Sequence, residues 1–278
     1  MDKYDLINEI KIHPLVRGIM FPYGRYIKYR ERKIYKGSIY PDKLRKYKSI
    51  HKGKRCFIIG NGPSLTGSDL DLIKEEITFA SNKIFNIYEE TSWRPTYYVC
   101  TDHGVLDHIY KDITMSKAVE NFIDIWGMKY DSFFQNVLYI NAHPTFVINM
   151  YGYNNSYIPK DIAEGFSTGF TVSFTMIQLA IYMGFEEIYL LGHDFSMPYY
   201  KDKWAIPHKT IERNAHFGKN YSTKKTYLIK YSNLQSFLHA KEYCDRNNII
   251  IKNATRGGKL EVFDRISLED CIRENMGK

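Results

Sequence analysis

The feature that most restricts this chain is a change of pattern at residue 55. From there on, short apolar runs recur: Arg55–Gly60 (RCFIIG), Thr78–Ser81, Tyr97–Thr101 (YYVCT), Val137–Ile140 (VLYI), Glu187–Gly192 (EIYLLG) and Ile249–Lys252 (IIIK). Each reads as a short buried strand. Between them lie helix-patterned stretches at Ser68–Glu76, Thr171–Met183 and Leu234–Asn247. In the second, Val172, Met176, Leu179, Ala180 and Met183 fall near one face. Strands alternating with helices predict an α/β fold, a mostly parallel sheet with helices on both faces. No internal repeat is visible. Residues 197–230 are polar and aromatic with little period, the pattern of a lid inserted into an α/β enzyme.

Composition narrows the class. The 278 residues suffice for one large domain, and 44% apolar with 25% charged residues is the balance of a globular protein. No run approaches the ~18 apolar residues of a spanning helix. The start, MDKYDLINEI, lacks a basic segment followed by an apolar one, so no signal peptide is expected. Cys56, Cys100, Cys244 and Cys271 lie far apart without a CxxC pair, which argues against a disulfide framework or structural zinc and for a reducing cytoplasm.

Charge is confined to one end. Residues 1–55 hold 16 Lys and Arg against 5 Asp and Glu, a net of +11, and seven tyrosines; the rest of the chain is slightly acidic. With Pro14, Pro22 and Pro41 as breaks, residues 1–54 read as a basic, aromatic-rich extension of a catalytic domain over 55–278. Such a surface suits phosphates or an anionic membrane leaflet, here the cytoplasmic one. The plainer reading is a solvated helical extension packed on the domain. No nucleic-acid motif accompanies the charge, so nucleic acid is not the expected partner.

Polar residues gather after the strands. Gly60-Asn61-Gly62-Pro63-Ser64 follows the first. Its glycines would let the backbone approach a phosphate or ribose, Asn61 donates and accepts, and Ser64 suits a helix cap. An ordinary β-turn-α connection is the alternative. The segment is neither G-x-G-x-x-G nor a P-loop. Ser167-Thr168-Gly169 precedes the apolar helix, a site for an anion or merely a cap. Asp194, in LLGHDFS, follows a buried strand where a carboxylate can serve a ribose, a metal or a proton; His193 beside it points to the opposite side. Asn82 and Thr101-Asp102-His103-Gly104 follow two further strands. His216, in the lid segment, is a candidate general base. No HExxH is present.

GNGPSL, SNKIF and STGFTVSFTMIQLAIYMGFEEIYLLGHDFS, in this order, resemble the bacterial lipooligosaccharide sialyltransferases and the wider set that holds the motility accessory factor glycosyltransferases and the hydroxymethylpterin diphosphokinases. NATRGGKLEVFDRI (253–266) is similar to members encoded with surface-polysaccharide genes. The resemblance covers about residues 54–265. It implies a Rossmann-like nucleotide domain with a lid and a metal-independent transfer from a CMP-activated sugar, most simply a nonulosonic acid such as sialic acid, to a glycan hydroxyl. On it, Gly60, Asn61, Gly62, Ser64, Asn82, Ser167, Thr168, Gly169 and Asp194 surround the donor nucleotide. His216 is implied as base. Tyr199 and Tyr200 are implied beside the departing phosphate, Ser196 standing where the family has a tyrosine. Asp102 replaces an asparagine of the sialyltransferases. That leaves open an ATP-dependent diphosphokinase, with Mg²⁺ near Asp102 and Asp194, and a nucleotide-binding scaffold. For the glycosyltransferase no cofactor or metal is expected. A homo-oligomer stays open.

Overall fold

The computed structural model describes residues 26, 29–143, 156–167, 169, 171–195, 209–210, 226–227 and 230–276. Eight strands form the central sheet: β1 Arg55–Ile59, β2 Thr78–Ser81, β3 Tyr97–Cys100, β4 Glu120–Asp124, β5 Val137–Ile140, then β8 Glu187–Leu191, β11 Ile250–Asn253 and β12 Asp264–Arg265. Two short parallel strands, β6 Ala142–His143 and β7 Phe166–Ser167, pair beside it. A separate antiparallel pair is β9 Lys209–Thr210 with β10 Thr226–Tyr227. The order in the large sheet is β12-β11-β8-β1-β2-β3-β4-β5, and every pairing in it is parallel.

Because neighbouring residues of a strand point to opposite faces, the apolar runs build two cores. Cys56, Ile58, Val99, Ile140, Ile188 and Leu190 join one of them. It is closed by the helix Val172–Met183 and by Phe237, Ala240 and Cys244 of the helix Lys230–Arg246. Phe57, Ile59, Tyr98, Cys100, Ile123 and Leu191 join the other, under Leu70, Leu106, Ile109, Leu268 and Cys271. The predicted helices on both faces are present. Val172–Met183 is buried nearly all round, as a helix apolar on every side must be. Thr171 caps it by accepting the Ser173 N–H, and Gly184 ends it at φ +87°.

The described part of the basic segment before β1, residues 29–54, packs on the same body. Residues 29–36 are helical, and Pro41 occupies the first turn of the helix Tyr40–Arg45, where its missing N–H costs nothing. Tyr35 and Leu44 are fully buried. Tyr40 packs edge-on against Tyr139 and Tyr47 against Phe122. Arg45 bonds to Asp161 (3.3 Å) and Glu164 (3.5 Å) across the chain. No described helix is long and apolar enough to cross a membrane.

Candidate functional site

The strand order reverses at β1. The chain runs outward through β2 to β5, then returns to lay β8 on the other side of β1. In doubly wound sheets ligands bind beyond the carboxyl ends at such a reversal. Two of the turns singled out in the sequence flank this crevice, and they are bonded to each other. The Gly60 N–H donates to the Leu191 carbonyl (2.7 Å) and the Gly62 N–H to the Gly192 carbonyl (2.9 Å). Ser64 donates from its amide (3.3 Å) and its hydroxyl (2.8 Å) to Oδ2 of Asp194.

This contact explains the glycines differently from the sequence reading. A Cβ on Gly60 would lie 2.3 Å from the Gly192 carbonyl oxygen, and one on Gly62 would lie 1.8 Å from Asp194 Oδ2. The missing side chains make room for the β8 turn, and both amides are spent on it.

A third turn, after β11, closes on the same aspartate. The Lys259 N–H donates to the Asp194 carbonyl (2.6 Å), and a Cβ on Gly258, at φ +76°, would meet that carbonyl at 2.6 Å. Asn253 accepts the Thr255 N–H (3.0 Å), and Thr255 Oγ1 accepts the His193 N–H (2.9 Å). Asp194 thus ties the β1 and β11 turns together, its carboxylate holding one and its carbonyl the other. Lys259 is exposed at this rim.

His193 faces inward, as the sequence suggests. Its Nε2 is 3.0 Å from Ser173 Oγ, and burial pushes its pKa down to about 4. It is neutral in the folded protein, whereas the unfolded chain takes up that proton near ~6.5. The stability it contributes is therefore complete above that value and is lost as the pH falls toward 4. Going from pH 7 to pH 4 is expected to cost about 3 kcal/mol through this side chain. Urea unfolding at both pH values measures the loss, and His193→Gln should flatten that part of the profile. Identical profiles for the two proteins would remove the buried imidazole from the account.

The neighbouring strand ends continue the row. Asn61 Nδ2 donates to the Ser81 carbonyl (3.1 Å) at the end of β2. Asn82 follows at φ +54°, a left-handed conformation that asparagine tolerates better than most residues. Its carbonyl accepts from Tyr98 Oη (2.7 Å), and its Oδ1 is buried with no partner among the described residues. After β3, Asp102 is exposed and caps the helix His103–Ile109 by accepting the Val105 N–H (2.9 Å). Beside it, Nε2 of His103 lies 2.8 Å from Oδ1 of Asp124, the last residue of β4. Asp124 is buried and also accepts the N–H groups of Trp126 (2.9 Å) and Ala142 (3.0 Å). The His103 ring stacks on Trp126 with centroids 4.6 Å apart and planes 8° from parallel.

Ser167 and Gly169 sit before the helix Val172–Met183, whose Ser173 reaches His193. Gln178 clamps the Ser167 backbone, accepting its N–H (3.1 Å) and donating to its carbonyl (2.6 Å). The Ser167 hydroxyl is buried without a partner among the described residues. Gly169, at φ +53°, leaves no room for a Cβ against Ser236. Thr168, Tyr199, Tyr200, His216 and most of the lid segment lie outside the described residues. Among the described residues no three His, Cys, Asp or Glu side chains converge on a metal position. Oδ2 of Asp194 accepts from Ser64, and Oδ1 of Asp102 caps its helix.

The sequence reading did not single out Asp124, and Asn253 and Thr255 entered it only within NATRGGKLEVFDRI. Asp124 ends a strand, ENFID, whose first residues are polar.

A parallel sheet wound in both directions, with the β1 and β11 turns each bonded to the β8 turn at its reversal, defines a doubly wound α/β protein. The model of the 6-hydroxymethylpterin diphosphokinase MptE-like family matches residues 32–199, and the chain belongs to that family. Its fold is similar to that of the MAf glycosyltransferase from Magnetospirillum magneticum AMB-1, at 15% identity and a TM-score of 0.51. That likeness covers 95% of this chain and 44% of the other, so this chain spans under half the length of that relative. A sialyltransferase CST-II in complex with CMP matches at 15% identity and a TM-score of 0.41, over 77% of this chain and 86% of that one. CstII from Campylobacter jejuni with cytidine-5'-monophosphate matches at 16% and 0.39, over 76% and 84%. No curated protein matches the sequence.

Proposed function

We propose that this protein is a glycosyltransferase of cell-surface glycan assembly that uses a nucleotide-sugar donor, a CMP-activated nonulosonic acid such as sialic acid. The observation that carries the reading is the meeting of the GNGPS and GHDF turns at the sheet reversal. These are the segments on which the sequence resembles the sialyltransferases, and they flank the crevice where such sheets take nucleotides. On the sequence resemblance, Asn61 and Asn82 border the donor nucleotide. The exposed Lys259 supplies positive charge for phosphate. The exposed Lys43, Lys46, Lys48, Lys52 and Lys54 suit an anionic leaflet, where the glycan acceptor would be presented.

A second reading is favoured by the family match. A diphosphokinase would pass diphosphate from ATP to the hydroxyl of a 6-hydroxymethylpterin, and the carboxylate at position 102 suits a metal-dependent site better than an amide does. One thermal-shift panel separates the two: CMP, CDP, UDP, GDP and ATP, each with and without Mg²⁺. The expected result is stabilisation by CMP that does not need metal. Asn61→Ala should weaken it about tenfold, the loss of roughly one hydrogen bond of ~1.4 kcal/mol. An ATP response that requires Mg²⁺, with none to CMP, would transfer the assignment to the diphosphokinase. Silence toward every nucleotide would sink both readings.

A further inference from the structure

Both readings share a step for which the crevice at β1 and β8 holds no described base. A hydroxyl oxygen attacks carbon or phosphorus and must lose its proton. His193 is buried and bonded to Ser173, and Asp194 is buried with its Oδ2 held by Ser64. Two strands further along the same carboxyl edge, His103 is placed differently. Its side chain is 29% exposed, while Asp124 beneath it is 2% exposed. A carboxylate only accepts hydrogen bonds, so Nε2 of His103 carries the proton in the 2.8 Å contact, and the lone pair is left on Nδ1. Two backbone N–H groups fix the carboxylate, and Trp126 fixes the plane of the ring. A buried acid that holds one tautomer and can stabilise the imidazolium once formed is the arrangement of a proton-accepting pair.

We propose that His103 is the proton acceptor for the hydroxyl nucleophile and that Asp124 is its positioning residue. The proposal rests on the reading that this protein transfers a group to a hydroxyl. In glycosyl transfer the acceptor oxygen bonds to the anomeric carbon. The bond from that carbon to the CMP phosphate oxygen breaks, its electron pair stays with CMP, and the proton passes to Nδ1 of His103. In diphosphoryl transfer the oxygen bonds to the β-phosphorus, AMP leaves with the bridging oxygen and its electron pair, and the proton has the same destination.

The test uses the full chain and two probe reactions: CMP release from CMP-N-acetylneuraminic acid with lactose, and AMP release from ATP with Mg²⁺ and 6-hydroxymethylpterin. In whichever reaction the wild type supports, His103→Gln is expected to lower kcat by about 10²–10⁴-fold with KM for the donor nearly unchanged. Asp124→Asn should lower kcat less. Added imidazole should restore part of the turnover of His103→Ala and none of that of Asp124→Asn, a pattern that loss of structure would not produce. An active wild type with near-full turnover in a folded His103→Gln would overturn the proposal, the more plainly if His216→Ala is inactive. A wild type inert in both reactions would instead remove the functional reading, and this proposal with it.

Discussion

Gly60→Ala is expected to cost this protein on the order of 3–5 kcal/mol and, with it, its nucleotide response. The added methyl would sit 2.3 Å from the Gly192 carbonyl oxygen and 2.9 Å from its carbon. Both are backbone atoms, so no side-chain rotation relieves the contact. The β1 and β8 turns would have to separate, stretching the Gly60–Leu191 and Gly62–Gly192 hydrogen bonds and drawing Ser64 away from Asp194. Gly257→Ala is the matched control. Gly257 has φ +67° but nothing within 4 Å of an added Cβ, so only the left-handed backbone is penalised, by roughly 1–2 kcal/mol. Urea unfolding of the two variants gives the comparison. If Gly60→Ala proves no worse than Gly257→Ala, the turns are not closed on each other as described, and the crevice must be placed elsewhere.

What could be read from the sequence follows burial. Thr78–Ser81 and Val137–Ile140 have the predicted limits, and the runs at residues 55, 97 and 187 end one residue early, where the chain leaves the sheet. Parallel strands covered on both faces are nearly all apolar, so they stand out. The strand Glu120–Asp124 does not, because its polar residues are buried by being bonded. Asn121 accepts from the Ser116 hydroxyl (2.7 Å) and donates to the carbonyls of Gln135 and Asn136, while Asp124 accepts from two amides and His103. A pattern of hydrophobicity cannot register residues buried in that way. With that strand unseen, His103 had no visible partner. The predicted helix Ser68–Glu76 is shorter in the structure, Gly67–Leu72. The turns after β1 and β8 were legible as polar punctuation. That they bond to each other was not, since the reversal of strand order is a property of the sheet and not of either segment.

The same distinction between a residue's character and its place governs the basic N-terminal segment. Its lysines suggest an appendage for an anionic surface, yet Tyr35 and Leu44 of its described part are buried. Deleting residues 1–45 removes Tyr35 and Leu44, both fully buried, the edge contact of Tyr40 on Tyr139, and the bonds of Arg45 to Asp161 and Glu164. Burial of each large side chain is worth about 1.5–3 kcal/mol, and exposing the surface left behind adds to the loss. Against a total stability of about 5–15 kcal/mol, the truncated chain is expected to be largely unfolded or aggregated. Leu44→Ala samples the same contact singly and should cost about 2–5 kcal/mol. Reversing the exposed charges Lys46, Lys48 and Lys52 to Glu should leave unfolding within about 0.5 kcal/mol and reduce binding to anionic vesicles at low salt. Circular dichroism and urea unfolding of the three proteins, with vesicle sedimentation, decide the matter. A truncated chain that folds at wild-type stability and loses only vesicle binding would make the segment an appendage after all.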